Sequence, residues 1–236
     1  MAEGFPYQSY EQAGLGTRTA AQALPAERLT FIRKVYSLFF VSVLFAVAGG
    51  YAALQTGFTL WLVQHPIIAI AAYLGGVFLV QGMSRAPGIN VVLLFVYAAF
   101  TGAYFSIAVL AAALQTGSFD VAVQAFGLTL VVFGGLTLFA FVSRTDFSFL
   151  RGFLFTGLLI LLGIGVLSLF FGFLDQGMFT VYAAGVVLIM AGYVLYDTSN
   201  ILRHYGTNQA VAAALAIYID FAILFVYLLR LLADRR

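Results

Sequence analysis

Two aspartates lie in long apolar segments, where a carboxylate is costly. Asp197 lies in AGYVLYDTSNIL, and Asp220 lies in AAALAIYIDFAILFVYLLRLL. An ionisable side chain inside a membrane span is expensive enough to indicate a functional site. Two neighbouring carboxylates do not both ionise readily, so such a pair is expected to hold one proton between them. Their oxygens also suit a hard cation such as Ca²⁺. The pair therefore predicts chemistry of protons or cations.

The composition places these aspartates in a membrane protein. The chain is 63% hydrophobic and 8% charged, with a mean hydropathy of +1.05, whereas soluble domains carry about 25% charged residues. Residues 1–29 are polar and lack an apolar stretch, so we expect a flexible cytoplasmic tail rather than a signal peptide. Residues 30–236 are predicted to form one transmembrane domain.

Seven apolar segments are long enough to cross about 30 Å of hydrocarbon, which requires about 20 helical residues. Short polar turns separate them, and their unbroken apolar character excludes the alternation of β-barrel strands. The fold class predicted is an all-α, polytopic bundle of seven transmembrane helices. Its predicted spans are Val35–Leu54, Pro66–Met83, Ile89–Leu114, Val121–Ser143, Phe149–Phe173, Met178–Leu202 and Gln209–Leu232. Glycine pairs such as Gly49/Gly50, Gly75/Gly76, Gly134/Gly135 and Gly163/Gly165 predict close helix packing.

Arginine and lysine lie on alternate sides of these spans. The loops after the first, third and fifth spans contain neither residue, and those after the second, fourth and sixth hold Arg85, Arg144, Arg151 and Arg203. The positive-inside rule therefore predicts a cytoplasmic N-terminus. Arg230, Arg235 and Arg236 conflict with this rule, since seven crossings place them outside. The last segment is either re-entrant or crosses against its own charge, and its length favours a crossing.

The two aspartates are predicted to face each other. The turn between the last two spans is predicted at Gly206 to Asn208, with Gly206 just after the end of one helix and Thr207 or Asn208 capping the next. Asp197 and Asp220 then lie about 13 and 18 Å from the same end, at 1.5 Å per residue. This difference is close to one helical turn. The alternative is that each aspartate only hydrogen-bonds a neighbouring helix through a nearby hydroxyl, such as Tyr193, Thr198 or Tyr218.

Several other functions are excluded or disfavoured by the sequence. The chain has no cysteine, so thiolate catalysis and cysteine-bound metals are absent. Lys34 is the single lysine and precedes the first span, which excludes a retinal protein. The net charge of +2 does not indicate a nucleic-acid partner. An intramembrane aspartyl protease is the one enzymatic rival, but no glycine lies near Asp220 as that chemistry requires, so we predict that the chain is not an enzyme.

The segments YDTSNILRHY and AAALAIYIDFAILFVYLLRLL resemble the closing signature of the transmembrane Bax inhibitor motif family. FIRKVYSLFF, the FTG at Phe100 to Gly102, and TDFSFLRGFL are similar to further motifs of that family. The resemblance covers the chain from about Phe31 onward. One departure is Ile223, which stands where the family motif has asparagine.

The resemblance implies a seven-helix bundle with its last helix near the centre. It also implies a proton-sensitive Ca²⁺ leak in which Asp197 and Asp220 act as the pH sensor and line the ion pathway, with Ca²⁺ as the ion they would bind. Arg85 is the nearest counterpart of a basic latch that pairs with the aspartate of the sixth span, although it also fits a plain cytoplasmic anchor. No cofactor is implied beyond Ca²⁺ as the transported or bound ion.

Because Ile223 removes a polar neighbour of Asp220, a second function stays open. The chain would then be a regulatory membrane protein that acts through membrane-protein partners without conducting ions. The partners expected in either case are the lipid bilayer, and for the leak also calcium ions and protons. The short loops favour a bacterial inner membrane as the location.

Overall fold

The computed structural model describes residues 19–143 and 145–235, and this part of the chain is helical, with no strand. One 3₁₀ turn, Phe147–Leu150, precedes the sixth of its eight α-helices. The helices are α1 (Pro25–Thr56), α2 (Phe58–Gln64), α3 (Pro66–Gly82), α4 (Ile89–Thr116), α5 (Asp120–Ser143), α6 (Arg151–Phe171), α7 (Gln176–Arg203) and α8 (Ala210–Ala233). The all-α, polytopic fold predicted from the sequence is confirmed.

Within the described residues, six helices are long and apolar enough to cross a membrane, and there are seven if a bent pair of helices is counted as one span. The bent pair is α2 and α3, whose axes meet at 103° across His65. The second predicted span matches α3, which has only 17 residues. Helix α2 departs from the sequence-based prediction, in which residues 55–65 form a loop.

Residues 1–18 of the predicted tail lie outside the described residues, so their flexibility stays a prediction. From Thr19 onward the chain contacts the bundle, since the amide of Ala20 donates to the carbonyl of Tyr205 at 2.8 Å. Helix α1 begins at Pro25, ten residues before the predicted span. A proline in the first turn suits this start because its missing N–H has no helical partner there.

Helix α8 lies at the centre of the bundle. It contacts α1, α3, α4, α5 and α7, and most of its side chains are buried. At its far end, the Thr180 hydroxyl near the start of α7 donates to Asp234 at 2.9 Å, and Arg230 lies over the Phe179 ring. Helix α8 therefore runs along almost the whole of α7, which favours a crossing over a re-entrant segment.

Glycines bring α1 and α4 together. A β-carbon added to Gly102 would overlap the carbonyl oxygen of Ala46, and one added to Gly49 would overlap that of Ala99. These backbones touch directly, as small residues allow in membrane helices. The predicted glycine packing is thus confirmed for Gly49 and Gly50. It is also confirmed for Gly76 against Tyr97 and Gly165 against Tyr182, but it is wrong for Gly75, Gly134, Gly135 and Gly163, which have open space beside them.

Candidate functional site

The hairpin of α7 and α8 positions both aspartates. Helix α7 begins after Asp175, whose carboxylate accepts the Met178 amide at 2.7 Å and caps the helix. Asp197 lies six residues before the end of α7 at Arg203, and Asp220 lies ten residues after the start of α8 at Ala210. At 1.5 Å per residue, their depths below the turn are about 9 and 15 Å.

The turn between these helices differs from the one expected. Helix α7 ends at Arg203 and is followed directly by His204, whose amide donates to the Asn200 carbonyl at 2.7 Å. Gln209 precedes α8 and does not cap it; instead its side chain accepts the amide of Gly206 at 2.9 Å. Gly206 does not adopt the left-handed conformation, so its predicted role as a helix cap was wrong. The depths of the two aspartates below the turn nevertheless lie close to the predicted ones.

The structure brings Asp197 and Asp220 together. Their carboxyl groups lie within hydrogen-bonding range of each other, and Asp197 also contacts the amide side chain of Asn200. Asp220 is only 4% exposed, and its Oδ2 has no hydrogen-bond partner among the described residues. Two ionised carboxylates repel at this range, so the hydrogen bond between them requires a proton.

Hydroxyl groups surround the pair. Tyr193 interacts electrostatically with both aspartates, and Tyr36 on α1 approaches the hydroxyl of Thr198. Tyr205, in the turn, has a raised pKa, first because it is buried and then because the charges of Asp197 and Asp220 oppose its ionisation. The pair therefore lies in a buried polar patch inside an otherwise apolar bundle.

A cleft of about 520 Å³ opens from this patch toward the turn. Asn200, Tyr196 and His204 line it, and His204 also lies beside Asp146, with 3.6 Å between His204 Nε2 and Asp146 Oδ2. The Ser148 amide donates to Asp146 and is the main reason why the pKa of Asp146 is lowered. The cleft gives solvent a route toward Asn200 and thus toward Asp197.

Some residues of the site are not predicted from the sequence. Asn200 and Tyr196 occur beside Asp197 in YDTSN, where the polar residues after the aspartate were an available signal. Tyr36 and the segment from Thr19 carried no such signal, because only the fold brings them to this end. Thr19 pairs with Gly206, and the Thr207 hydroxyl donates to Glu27 at 2.7 Å.

Arg85 is not part of the pair in this arrangement. It lies in the turn after α3, its side chain is exposed, and it forms no ion pair with a described carboxylate. Asp197 instead contacts Asn200 and Asp220.

Comparisons with known proteins agree with the fold and the motifs. The family model described as Inhibitor of apoptosis-promoting Bax1 matches residues 28–236. Bax inhibitor 1 of Schizosaccharomyces pombe is 32% identical over 225 residues, covering 92% of this chain and 80% of the relative. Protein lifeguard 4 of Mus musculus is 31% identical over 236 residues, covering 97% and 95%. An uncharacterized protein of Campylobacter jejuni is 33% identical over 217 residues, covering 88% and 89%. The chain therefore belongs to the Bax inhibitor family of integral membrane proteins.

Proposed function

We propose that this protein is a pH-sensitive calcium leak channel in which Asp197 and Asp220 share a proton and gate the pathway. The observation that carries the proposal is the close, buried pair of carboxyl groups on the central helix and its neighbour. The Bax inhibitor family is not an enzyme family, which agrees with a transport or regulatory role.

The shared proton would act as a switch. While one carboxyl is protonated, it donates to the other and holds α7 against α8. When both are ionised, two negative charges face each other in a poorly solvated patch, where repulsion is strong. The helices then separate, or a cation takes the place of the proton. Either outcome couples pH to the packing of α8, which five other helices contact.

The donor set suits a passing Ca²⁺ better than a resident one. Calcium prefers six to eight oxygen ligands. The two carboxylates and the Asn200 side chain offer fewer than that, and the described residues hold no cluster of three or more acidic or histidine ligands. A bound ion would therefore keep several waters, which is compatible with its release along the cleft.

We further propose that the protein resides in a bacterial inner membrane with its N-terminus in the cytoplasm. Arg85 follows α3 and Arg203 is the last residue of α7, at one end of the bundle, and the relatives include bacterial proteins. On this orientation the cleft beside His204 opens to the cytoplasm, so the aspartate pair would respond to cytoplasmic pH.

The test is calcium flux into liposomes that contain the purified full chain. We expect flux above that of protein-free liposomes, and we expect it to change across about pH 5 to 8, the range in which a shared proton is exchanged near neutrality. Flux that does not vary with pH would contradict the sensor. Absence of flux at every pH would instead favour a regulatory protein that acts through partners, the alternative supported by Ile223 beside the pair.

Arg85 gives a separate prediction for the latch. An arginine that pairs with ionised Asp197 in another conformation would stabilise the deprotonated pair. Arg85→Gln is therefore expected to move the midpoint of the pH-dependent flux upward by about one pH unit. Arg33→Gln is the matched control, since Arg33 is another exposed arginine, on α1. An unchanged midpoint in Arg85→Gln would leave Arg85 as a plain cytoplasmic anchor.

A further inference from the structure

A second cavity lies on the other side of α8 from the aspartate pair. Its volume is about 430 Å³, and it is enclosed by α1, α4, α5 and α8. Tyr218 lines it, two residues before Asp220. At 100° per residue, these two side chains point about 200° apart, so they lie on opposite faces of the helix. The cavity is therefore distinct from the candidate site.

The cavity lies within the membrane-spanning part of the bundle. Its lining starts near the middle of α1 at Val43 and reaches Leu54, close to the end of that helix. It also includes Phe119, just before α5, and Val123, in the first turn of that helix. This end of the bundle is opposite to the turn that follows Arg203. The cavity thus extends from mid-depth toward the outer surface on the orientation proposed above.

The lining has no charged residue, and the hydroxyl of Tyr51 lies at the exposed mouth. Its two inner hydroxyls are already hydrogen-bonded: Ser106 to Thr59 at 2.6 Å and to the Ala103 carbonyl, and Tyr218 to Thr101 and the Ala98 carbonyl. Water needs two to four polar partners to stay in a cavity, whereas apolar cavities bind apolar molecules. The interior therefore favours an apolar occupant over water.

The mouth of the cavity is continuous with the lipid-facing surface. Val47, Tyr51 and Phe119 line the cavity and are also largely exposed on the outside of the bundle. In an integral membrane protein this surface is covered by acyl chains. A chain that enters the mouth exchanges contact with other lipids for contact with Phe105, Phe126 and Phe225.

From this geometry we infer that the cavity is a binding site for an acyl chain of a bilayer lipid, which inserts between α1 and α5 and rests against α8. The volume lies in the range of ligand sites, about 300 to 1,000 Å³. A headgroup at this depth would remain outside, near Tyr51, whose ring suits the membrane interface. The inference does not depend on ion conduction, because the cavity and the aspartates occupy different faces of α8.

The test uses a lipid with a photoreactive diazirine near the end of one acyl chain, in vesicles of phosphatidylethanolamine and phosphatidylglycerol. Tyr218 is 1% exposed and Phe221 is 4% exposed, so bulk lipid does not reach this part of α8. After irradiation, mass spectrometry is expected to find lipid adducts within residues 218–225. Phe170 and Phe171 on α6 are exposed to lipid and serve as the reference for general labelling.

Ala122→Phe is expected to fill the cavity and reduce adducts within residues 218–225 to the level of an unirradiated sample, with labelling of α6 unchanged. Val109→Phe, on the opposite wall, repeats the test with a second variant in case the first does not fold. Ala71→Phe is the matched control, because Ala71 is exposed on α3 and outside the cavity. An α8 without adducts in the wild type would overturn the inference, as would equal labelling of α8 in all variants.

Discussion

Asp220→Asn is expected to make calcium flux nearly independent of pH. Asparagine carries an N–H₂ group that donates to the Asp197 carboxylate at any pH. The wild-type carboxyl of Asp220 donates only while it is protonated. The variant should therefore stay in the protonated arrangement. A wild-type change of about tenfold, typical of coupling between two sites, should fall below about twofold. Flux into liposomes across the same pH range measures this.

One further variant separates the effect of the proton from that of the hydrogen bond. Asp220→Leu removes both the acid and the donor, so it should also lose the pH dependence, but without holding α7 against α8. The two variants should then have constant fluxes that differ from each other. Asp120→Asn is the control, since Asp120 is an exposed carboxylate at the opposite end of the bundle. A full pH response in Asp220→Asn would contradict the shared proton as the sensor.

Asp197→Asn should also remove the pH response of the flux, because the shared proton requires both aspartates. Asp197 is less buried than Asp220 and contacts the Asn200 side chain, so its replacement disturbs the packing less. A pH response that survives only in Asp197→Asn would mean that Asp220 titrates alone.

The sequence predicted the helices and the depth of the aspartates because both depend on local rules. Apolar length defines a membrane helix, and a rise of 1.5 Å per residue converts chain position into depth. The approach of Asp197 to Asp220 followed from these rules and from a short turn. The predicted depths depend only weakly on which residue caps the helix, so the incorrect cap at Gly206 changed them little.

Other features depend on distant contacts and could not be predicted in this way. The bend between α2 and α3 places the Thr59 hydroxyl against Ser106 on α4, a contact between residues 47 apart in the chain. The segment from Thr19 pairs with Gly206, a residue near the opposite end of the chain. The sequence places Arg85 in the turn after the second span, but its distance from Asp197 depends on how α3 packs.

Gly102→Ala is expected to destabilise the protein strongly. The added methyl group would overlap the Ala46 carbonyl oxygen on α1, and this partner is backbone that cannot rotate away. Helices α1 and α4 would have to separate along their whole contact, which also includes Gly49 and Gly50. Overpacking of this kind costs about 3 kcal/mol. Thermal unfolding in detergent should show a clear fall in Tm.

Gly127→Ala on α5 provides the matched comparison for this prediction. No atom lies within 4 Å of a β-carbon added there, so the same chemical change meets only open space. Alanine is favoured over glycine in a helix by about 1 kcal/mol, so this variant should be as stable as the wild type or more stable. A similar Tm for Gly102→Ala and Gly127→Ala would mean that α1 and α4 do not pack at backbone contact. Gly102 also lines the second cavity, between α1, α4, α5 and α8. That outcome would therefore mean that the α1 and α4 walls of this cavity lie further apart than described above.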